Sequence, residues 1–214
     1  MKTDRPAATG QGRRGRPPGP TRTYADARKQ LIRAGMALLT GQGLVATGLD
    51  GLLKQAGVPK GSFYHYFDSK DAFGRAVLES YATYFRLRLD RRLLDKNLPP
   101  LERLAAFVRD AGTGMARYGF QRGCLVGNLG QEITLLPGDY RELLENILQD
   151  WQQRVAACLE LARQQGQLAA TADCGQLAQF FWIGWEGAVM RARLVREASP
   201  LEIFFQGFLA GLPR

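Results

Sequence analysis

Residues 58–67 read Val-Pro-Lys-Gly-Ser-Phe-Tyr-His-Tyr-Phe, a short segment rich in aromatic residues. It directly follows Gly57, a residue that tolerates the positive φ of a sharp turn. Proline fits the first position of a helix, so Pro59 predicts a helix start. In that helix Phe63, Tyr66 and Phe67 share one face. Upstream, a short helix starting near Thr47, a suitable N-cap, places its leucines on an inner face. The stretch therefore predicts two helices joined by a tight glycine turn.

Outward from this turn, the whole chain is patterned for helices. Leucine and isoleucine recur at steps of three and four from Tyr24 until Gly41 and Gly43 stop the pattern. Downstream we predict helices over about 70–93, 100–118, 124–134, 139–165, 174–196 and 200–210. No convincing strand and no internal repeat is present. The sequence thus predicts an all-α fold, with a three-helix head over 23–70 and a six-helix body over 71–214.

Charge divides the chain unequally. Residues 1–70 hold twelve Lys and Arg against four Asp, a net charge of +8. Residues 71–214 hold seventeen basic against sixteen acidic residues, a net charge of +1. The asymmetry indicates a polyanionic partner for the first third of the chain alone.

Composition excludes several classes of protein. Three cysteines form no disulfide framework, and the single histidine excludes a clustered zinc site. No apolar stretch is long enough for a membrane helix or a signal peptide, so we expect no membrane partner and a cytoplasmic location. No nucleophile–base arrangement or phosphate-binding loop is recognisable, so we expect neither an enzyme nor a cofactor.

The turn and its two helices suit a helix-turn-helix, in which the second helix enters the DNA major groove. A small core of Leu52, Leu53, Val58 and Phe63 would hold the helices together. Backbone amides at the start of the second helix would meet phosphate oxygens. The residues left free for DNA are Lys60, Gly61, Ser62, Tyr64 and His65. A plain helical hairpin is the alternative, and the charge of the head favours DNA.

A basic arm precedes the head. Residues 1–22 are rich in Gly, Pro and Arg, which predicts disorder in the free chain. Arg13 precedes the sequence Arg14-Gly15-Arg16-Pro17, which is similar to the core of an AT-hook, whose arginines enter the minor groove. The alternative is a solvated basic tail that adds only salt-dependent affinity.

Glycines crowd the region 119–130, which indicates close packing or a cavity. Cys124 starts the short helix there and follows Arg122. A helix N-terminus and a nearby cation both lower the pKa of a thiol, which would make Cys124 reactive. The alternative is an inert buried cysteine.

The segment 180–194 reads Phe-Phe-Trp-Ile-Gly-Trp-Glu-Gly-Ala-Val-Met-Arg-Ala-Arg-Leu. The small residues of this segment share one helix face, which lets another helix approach closely. This predicts a dimer interface built with the 139–165 helix. Trp182, Trp185 and Glu186 would partly face a pocket, although ordinary core packing is the alternative for both tryptophans. A buried carboxylate ligand needs a cation or N–H donors. Our candidates for these donors are Arg122, Asn128, Trp182, Trp185 and Arg191.

Residues 47–73, TGLDGLLKQAGVPKGSFYHYFDSKDAF, closely resemble the DNA-binding signature of the TetR family of bacterial transcriptional regulators. The resemblance implies a homodimer that binds a palindromic double-stranded operator and is released by a small-molecule inducer. It also implies DNA contacts from Thr47, Lys60, Gly61, Ser62, Tyr64, His65 and Lys70.

The segments around Cys124 and over 181–194 resemble one branch of that family. The branch includes an acrylate-responsive repressor and, more distantly, a repressor that senses N-ethylmaleimide and hypochlorite. This implies an inducer that is acrylate or a related electrophile or unsaturated carboxylate, with Cys124 as sensor. Three alternatives remain open: an unrelated inducer, an activator, or an architectural DNA-binding protein without sensing.

Overall fold

The computed structural model describes residues 23–214, and all regular structure in this range is helical. The elements are α1 Tyr24–Gln42, α2 Leu49–Ala56, a single 3-10 turn Phe63–His65, α3 Lys70–Leu93, α4 Pro100–Ala116, α5 Leu125–Gln131, α6 Tyr140–Gln164, α7 Cys174–Val195 and α8 Ser199–Ala210. The all-α prediction is confirmed, and the six body helices lie close to their predicted bounds. The basic arm with Arg13, Arg14 and Arg16 lies outside the described residues.

The second helix of the predicted turn is shorter than expected. A helix does not start at Pro59, because Gly61 has a φ of +85° and interrupts any right-handed helix there. Only the 3-10 turn Phe63–His65 remains, so the predicted row of helical amides for phosphate is absent at this point. Gly57 adopts the left-handed conformation that the turn requires, with a φ of +62°.

The predicted N-cap of α2 is also wrong. Gly48 occupies the cap position without a side-chain hydrogen bond. Thr47 is buried instead, and its hydroxyl donates to the Gly43 carbonyl oxygen at 2.6 Å. The side chain therefore fixes the α1–α2 loop.

An aromatic cluster holds the head together. The Phe63, Phe67 and Phe73 rings pack against one another with centroids 5.1–5.7 Å apart. Gly35 of α1 permits this packing, since a Cβ there would lie 2.5 Å from the Phe73 ring. The predicted residues Leu52, Leu53, Val58 and Phe63 are all buried. Because Phe73 belongs to α3, the first helix of the body is part of the head core.

The body is built around buried aromatic side chains. Trp151 of α6 packs on Phe85 of α3 and on Trp182 of α7, with ring centroids 4.3 and 5.1 Å apart. Phe107 of α4 lies 5.2 Å from Trp185. Helix α8 packs on α7, where Gly184 leaves room for the Phe204 ring. These contacts make α7 the helix that joins the body core to the outer surface.

One outer face of α7 is apolar. Phe180, Ile183, Met190 and Leu194 are exposed there, and Ile203 is exposed on the neighbouring α8. Within the chain, Phe204 of α8 occupies the space over Gly184, whereas a Cβ at Gly187 would meet nothing within 4 Å. The dimer interface between this face and α6 stays a prediction. Helix α6 buries its apolar side within the chain. Within residues 23–214, no helix is both long and apolar enough to cross a membrane.

Candidate functional site

The tip of the head presents polar and aromatic side chains to solvent. Lys60, Gly61, Tyr64 and His65 are exposed and Ser62 is half-buried, as predicted. Tyr64 is 66% exposed while its neighbour Phe63 is 1% exposed, so the 3-10 turn separates a core face from a solvent-exposed face. Lys60 forms an ion pair with Asp50 at 2.9 Å. Both side chains are well exposed, so this pair contributes little to stability, and the Lys60 ammonium can exchange Asp50 for another anion.

Two further predicted contact residues behave differently. Lys70 is half-buried and its ammonium donates to the Val45 carbonyl oxygen at 3.0 Å. Thr47 is 1% exposed, so its side chain offers no surface to DNA in this structure. The exposed tip is therefore smaller than the predicted contact set.

A cavity of about 380 Å³ lies between the head and the body. Helix α1 supplies one wall, α3 and α4 supply two others, and α7 closes the cavity with Trp185 and Val189. The walls are mainly apolar, and three guanidinium groups line the space: Arg33 of α1, Arg88 of α3 and Arg122. Cys124 also lines it. A small ligand with an apolar body and an anionic end matches this lining.

Cys124 is surrounded by polar groups at the inner end of the cavity. Tyr81 of α3, the Gly127 backbone N–H and the Glu186 carboxyl group all interact with the sulfur. Burial and the neighbouring Glu186 carboxylate raise the pKa of the Cys124 thiol well above its usual range. Burial likewise raises the pKa of Glu186 to about 7. At neutral pH the sulfur is therefore a thiol next to an ionisable carboxyl group.

The predicted activation of Cys124 by Arg122 is wrong. The Arg122 guanidinium lies 3.8 Å from the centre of the Tyr118 ring, a cation–π contact. Helix α5 starts after Cys124 but has only seven residues, and burial outweighs its dipole. The sequence pattern contains no measure of burial, which decides the direction of this pKa shift.

The remaining predicted ligand residues fall into three environments. Trp185 and Glu186 each line a cavity, as expected. Trp182 is 2% exposed among aromatic rings and lines no described cavity, so the alternative of core packing is the correct one. Arg191 is exposed on the outer side of α7 and lines no described cavity. The Asn128 side-chain amide forms hydrogen bonds to α1.

These hydrogen bonds form a latch between body and head, which we define as Gly123, Asn128, Glu132 and Arg193. The Asn128 amide donates to the carbonyl oxygens of Leu39 and Thr40, each at 2.9 Å. The Gly123 N–H donates to the Thr40 carbonyl oxygen. The Arg193 guanidinium donates to the Gly41 carbonyl oxygen and to Asn128 Oδ1. The Glu132 carboxylate accepts from the backbone N–H groups of Leu44 and Val45. The last carbonyls of a helix lack partners within it. The body therefore supplies the C-terminal cap of α1.

Several of these residues were absent from the sequence prediction. Tyr81, Phe85 and Arg88 recur at helical spacing on α3, and this stripe of aromatic side chains ending in arginine is a usable signal. The latch had no such signal, because Asn128 and Leu39 are 89 residues apart. Residues 23–214 contain no group of three His, Cys, Asp or Glu side chains that could hold a metal ion.

Comparison with known families gives two matches that together cover most of the chain. Residues 31–77 match the model for bacterial regulatory proteins of the tetR family, and residues 100–208 match the tetracyclin repressor-like C-terminal domain. The chain belongs to the TetR family. The first match contains residues 58–67, and the second contains the body from α4 to α8.

Individual TetR-family proteins are similar over nearly the whole length. The transcriptional regulator AcuR of Cereibacter sphaeroides is 50% identical over 208 residues, which span 96% of this chain and 94% of AcuR. The HTH-type transcriptional repressor NemR of Escherichia coli K12 is 33% identical over 180 residues, 84% of this chain and 90% of NemR. A crystal structure of a TetR regulatory protein from Rhodobacter sphaeroides superposes with a TM-score of 0.85 at 50% identity, covering 87% of this chain and 98% of that one.

Family membership confirms several of the predictions. The chain is a transcriptional regulator with a helix-turn-helix DNA-binding head and a separate body, and its relatives are regulators rather than enzymes. The resemblance of residues 47–73 to the TetR signature is likewise confirmed.

Proposed function

We propose that this TetR-family regulator is a homodimeric repressor that leaves its palindromic operator when a small unsaturated carboxylate, acrylate or a close relative, enters the cavity. One observation carries the proposal: the cavity beside Cys124 has apolar walls, three arginines and a wall made by α1 of the head. A ligand there touches the DNA-binding unit directly. The similarity to AcuR and NemR supports the same assignment.

The DNA contacts that we propose come from the tip of the head. Lys60, Tyr64 and His65 are exposed on the side opposite the Phe63–Phe67 core, and Gly61 and Ser62 lie between them. Lys70 and the arm arginines add positive charge on the same third of the chain. Phosphate contacts of this kind give affinity that falls with salt.

The dimer that we propose forms through the apolar face of α7 and α8. Ile183 and Leu194 are 75% and 70% exposed, and Ile203 of α8 is 72% exposed. Contiguous exposed apolar side chains of this size mark an interaction surface. A two-fold dimer places two heads about 34–36 Å apart, one turn of DNA, which fits a palindrome.

The carboxylate end of the ligand would pair with arginine. Arg122 stacks on Tyr118 and keeps its N–H groups available, while Arg88 donates to the Asp110 carbonyl oxygen and keeps others. Arg33 approaches from α1. A buried carboxylate needs such donors, because an unpaired charge in a cavity is very costly.

The ligand signal would pass through α1 and the latch. Helix α1 forms a cavity wall, and its last carbonyls are held by Asn128 and Arg193. A ligand that shifts α1 relative to α3 and α7 changes the spacing of the two heads. Ligand and operator must then weaken each other by the same factor, since coupling between sites is reciprocal.

The test measures operator affinity of the full-length chain by fluorescence anisotropy against acrylate, with propionate as the saturated control. Arg122→Gln removes one carboxylate partner and should weaken the response to acrylate, whereas Arg191→Gln on the outer surface should not. Failure of acrylate to reduce operator affinity at any concentration contradicts the assigned inducer.

Binding of random A·T-rich DNA as tightly as the operator would instead indicate an architectural protein, and deletion of residues 1–22 should then abolish binding. Expression of the regulated gene in a deletion strain separates a repressor from an activator.

A further inference from the structure

Cys124 lies between two cavities. It lines the cavity of about 380 Å³ and also a second cavity of about 580 Å³ between α5 and α7. Glu186 lines the second cavity and approaches Cys124 from α7. The sulfur thus faces the proposed ligand space on one side and a carboxyl group on the other.

The Glu186 carboxyl group is held in a fitted recess without a full set of partners. Its Oε1 atom is buried and has no hydrogen-bond partner at normal geometry. A Cβ at Gly127 would overlap Oε2, so the carboxylate packs directly against the glycine backbone of α5, one turn after Cys124. Burying a carboxylate oxygen without a hydrogen-bond partner costs free energy, and such a group in a folded protein indicates a functional role.

We propose that Glu186 is the base that takes the proton from Cys124 as its sulfur adds to an α,β-unsaturated carboxylate or carbonyl compound in the adjoining cavity. Cys124 is then a covalent modification site for such electrophiles. The inference rests on the proposed function, because it assigns a chemical mechanism to the same inducer.

The addition balances without any other reactant. The thiol proton moves to a Glu186 carboxylate oxygen, and the sulfur electron pair forms a bond to the β-carbon of the ligand. The π electrons move to the α-carbon and the carboxylate oxygens as an enolate. A proton from solvent adds to the α-carbon, which gives a thioether, and Glu186 releases its proton to solvent, which restores the carboxylate.

A base is needed because the buried thiol does not ionise by itself near neutral pH. The pKa of Cys124 is raised by burial and by Glu186, whereas the pKa of Glu186 is about 7. General bases work best when their pKa lies near the operating pH. Tyr81, whose hydroxyl also interacts with the sulfur, is held neutral by burial and serves as a donor.

The arginines favour the same reaction. Negative charge grows on the ligand oxygens as the enolate forms, and Arg88 and Arg122 line the cavity that would hold them. Fixed cations at the place where charge develops stabilise the transition state. An acrylate ion, a poor acceptor in water, becomes a better one when its carboxylate is paired in this way.

The experiment follows adduct formation on the full-length chain with acrylate and with N-ethylmaleimide, by intact mass and by mapping the modified peptide. The wild-type chain should gain one adduct at Cys124, and Cys124→Ser should gain none there. Glu186→Gln should slow addition at neutral pH by about 100-fold or more, the usual contribution of a general base. Glu186→Asp should restore part of the rate, and Glu142→Gln, an exposed glutamate of α6, should leave it unchanged.

The pH profile separates a base from a structural residue. The titratable and charged groups around Glu186 are Cys124 at the start of α5, Tyr81 of α3 and Arg193 of α7. Since the base form of Glu186 is needed, the wild-type rate should rise with pH through about 7 and then level. In Glu186→Gln the rate should keep rising at higher pH, with ionisation of the thiol itself.

Two results would overturn the proposal: an unchanged rate and pH profile in Glu186→Gln, or no adduct at Cys124 in the wild-type chain. Normal release of the Cys124→Ser variant from its operator by acrylate would also overturn covalent sensing, while leaving the proposed repressor function intact. If Cys124 is modified with the expected pH profile but operator affinity does not change, the base stands and the proposed inducer response fails.

Discussion

Two glycines of the same short helix meet opposite surroundings. A Cβ at Gly127 would overlap the Glu186 carboxylate, whereas a Cβ at Gly130 would meet nothing within 4 Å. We expect Gly127→Ala to destabilise the fold by about 1–3 kcal/mol through overpacking. Gly130→Ala should be neutral or stabilise by up to about 1 kcal/mol, because alanine favours the helix. Denaturant unfolding of both variants checks this, and equal effects would contradict the fitted recess.

At the residue scale, the sequence identified the positions better than their chemistry. Cys124, Trp185 and Glu186 were recognised, and all three line a cavity. Of the two alternatives for Cys124, a thiol activated by Arg122 and a buried cysteine, the structure agrees with the second, because burial raises the pKa of the thiol. Trp182 looked equivalent to Trp185, and only the tertiary packing separates core from cavity.

At the element scale, the latch connects α5 to the end of α1. Asn128→Ala removes both amide donors from the Leu39 and Thr40 carbonyl oxygens. The Leu39 and Thr40 carbonyl oxygens keep the backbone N–H groups of Gly43 and Gly123 as donors. Each lost side-chain hydrogen bond costs about 0.5–1.5 kcal/mol, so the variant should unfold at lower denaturant. The factor by which acrylate weakens operator binding should also fall towards one.

Arg193→Ala, which removes the donor to Gly41, should behave like Asn128→Ala. The matched control is Arg191→Ala, two residues away on the exposed side of α7. Operator affinity with and without acrylate, measured for all three variants, checks the prediction. A full acrylate response in Asn128→Ala would show that the signal bypasses the latch.

Helices were predictable from the sequence wherever a regular apolar period continues, as in α3, α6 and α7. The period fails at Gly61, where a positive φ breaks the second helix of the turn into a 3-10 turn. The partners of each helix were less predictable. The small residues of α7 indicated a close neighbour, but the pattern does not show that this neighbour is α8 through Phe204.

At the scale of the whole molecule, we propose that the dimer forms through the outer face of α7 and α8. Ile183 is 75% exposed at its centre, so Ile183→Glu should convert the dimer to monomers and reduce operator affinity by at least about 100-fold. Leu161→Glu, on the outer side of α6 at 37% exposure, is the control and should leave the dimer intact. Sedimentation of both variants checks the interface. Dissociation by Leu161→Glu alone would move the interface to α6.

A ligand in the cavity should weaken operator binding, and titration of the operator complex with acrylate measures this coupling. The measurement is the operator dissociation constant of the full-length chain with and without saturating acrylate, at one salt concentration. We expect acrylate to weaken operator binding by about 10-fold or more, a coupling typical of allosteric regulators. An unchanged dissociation constant, with calorimetry showing acrylate bound in the cavity, would contradict it.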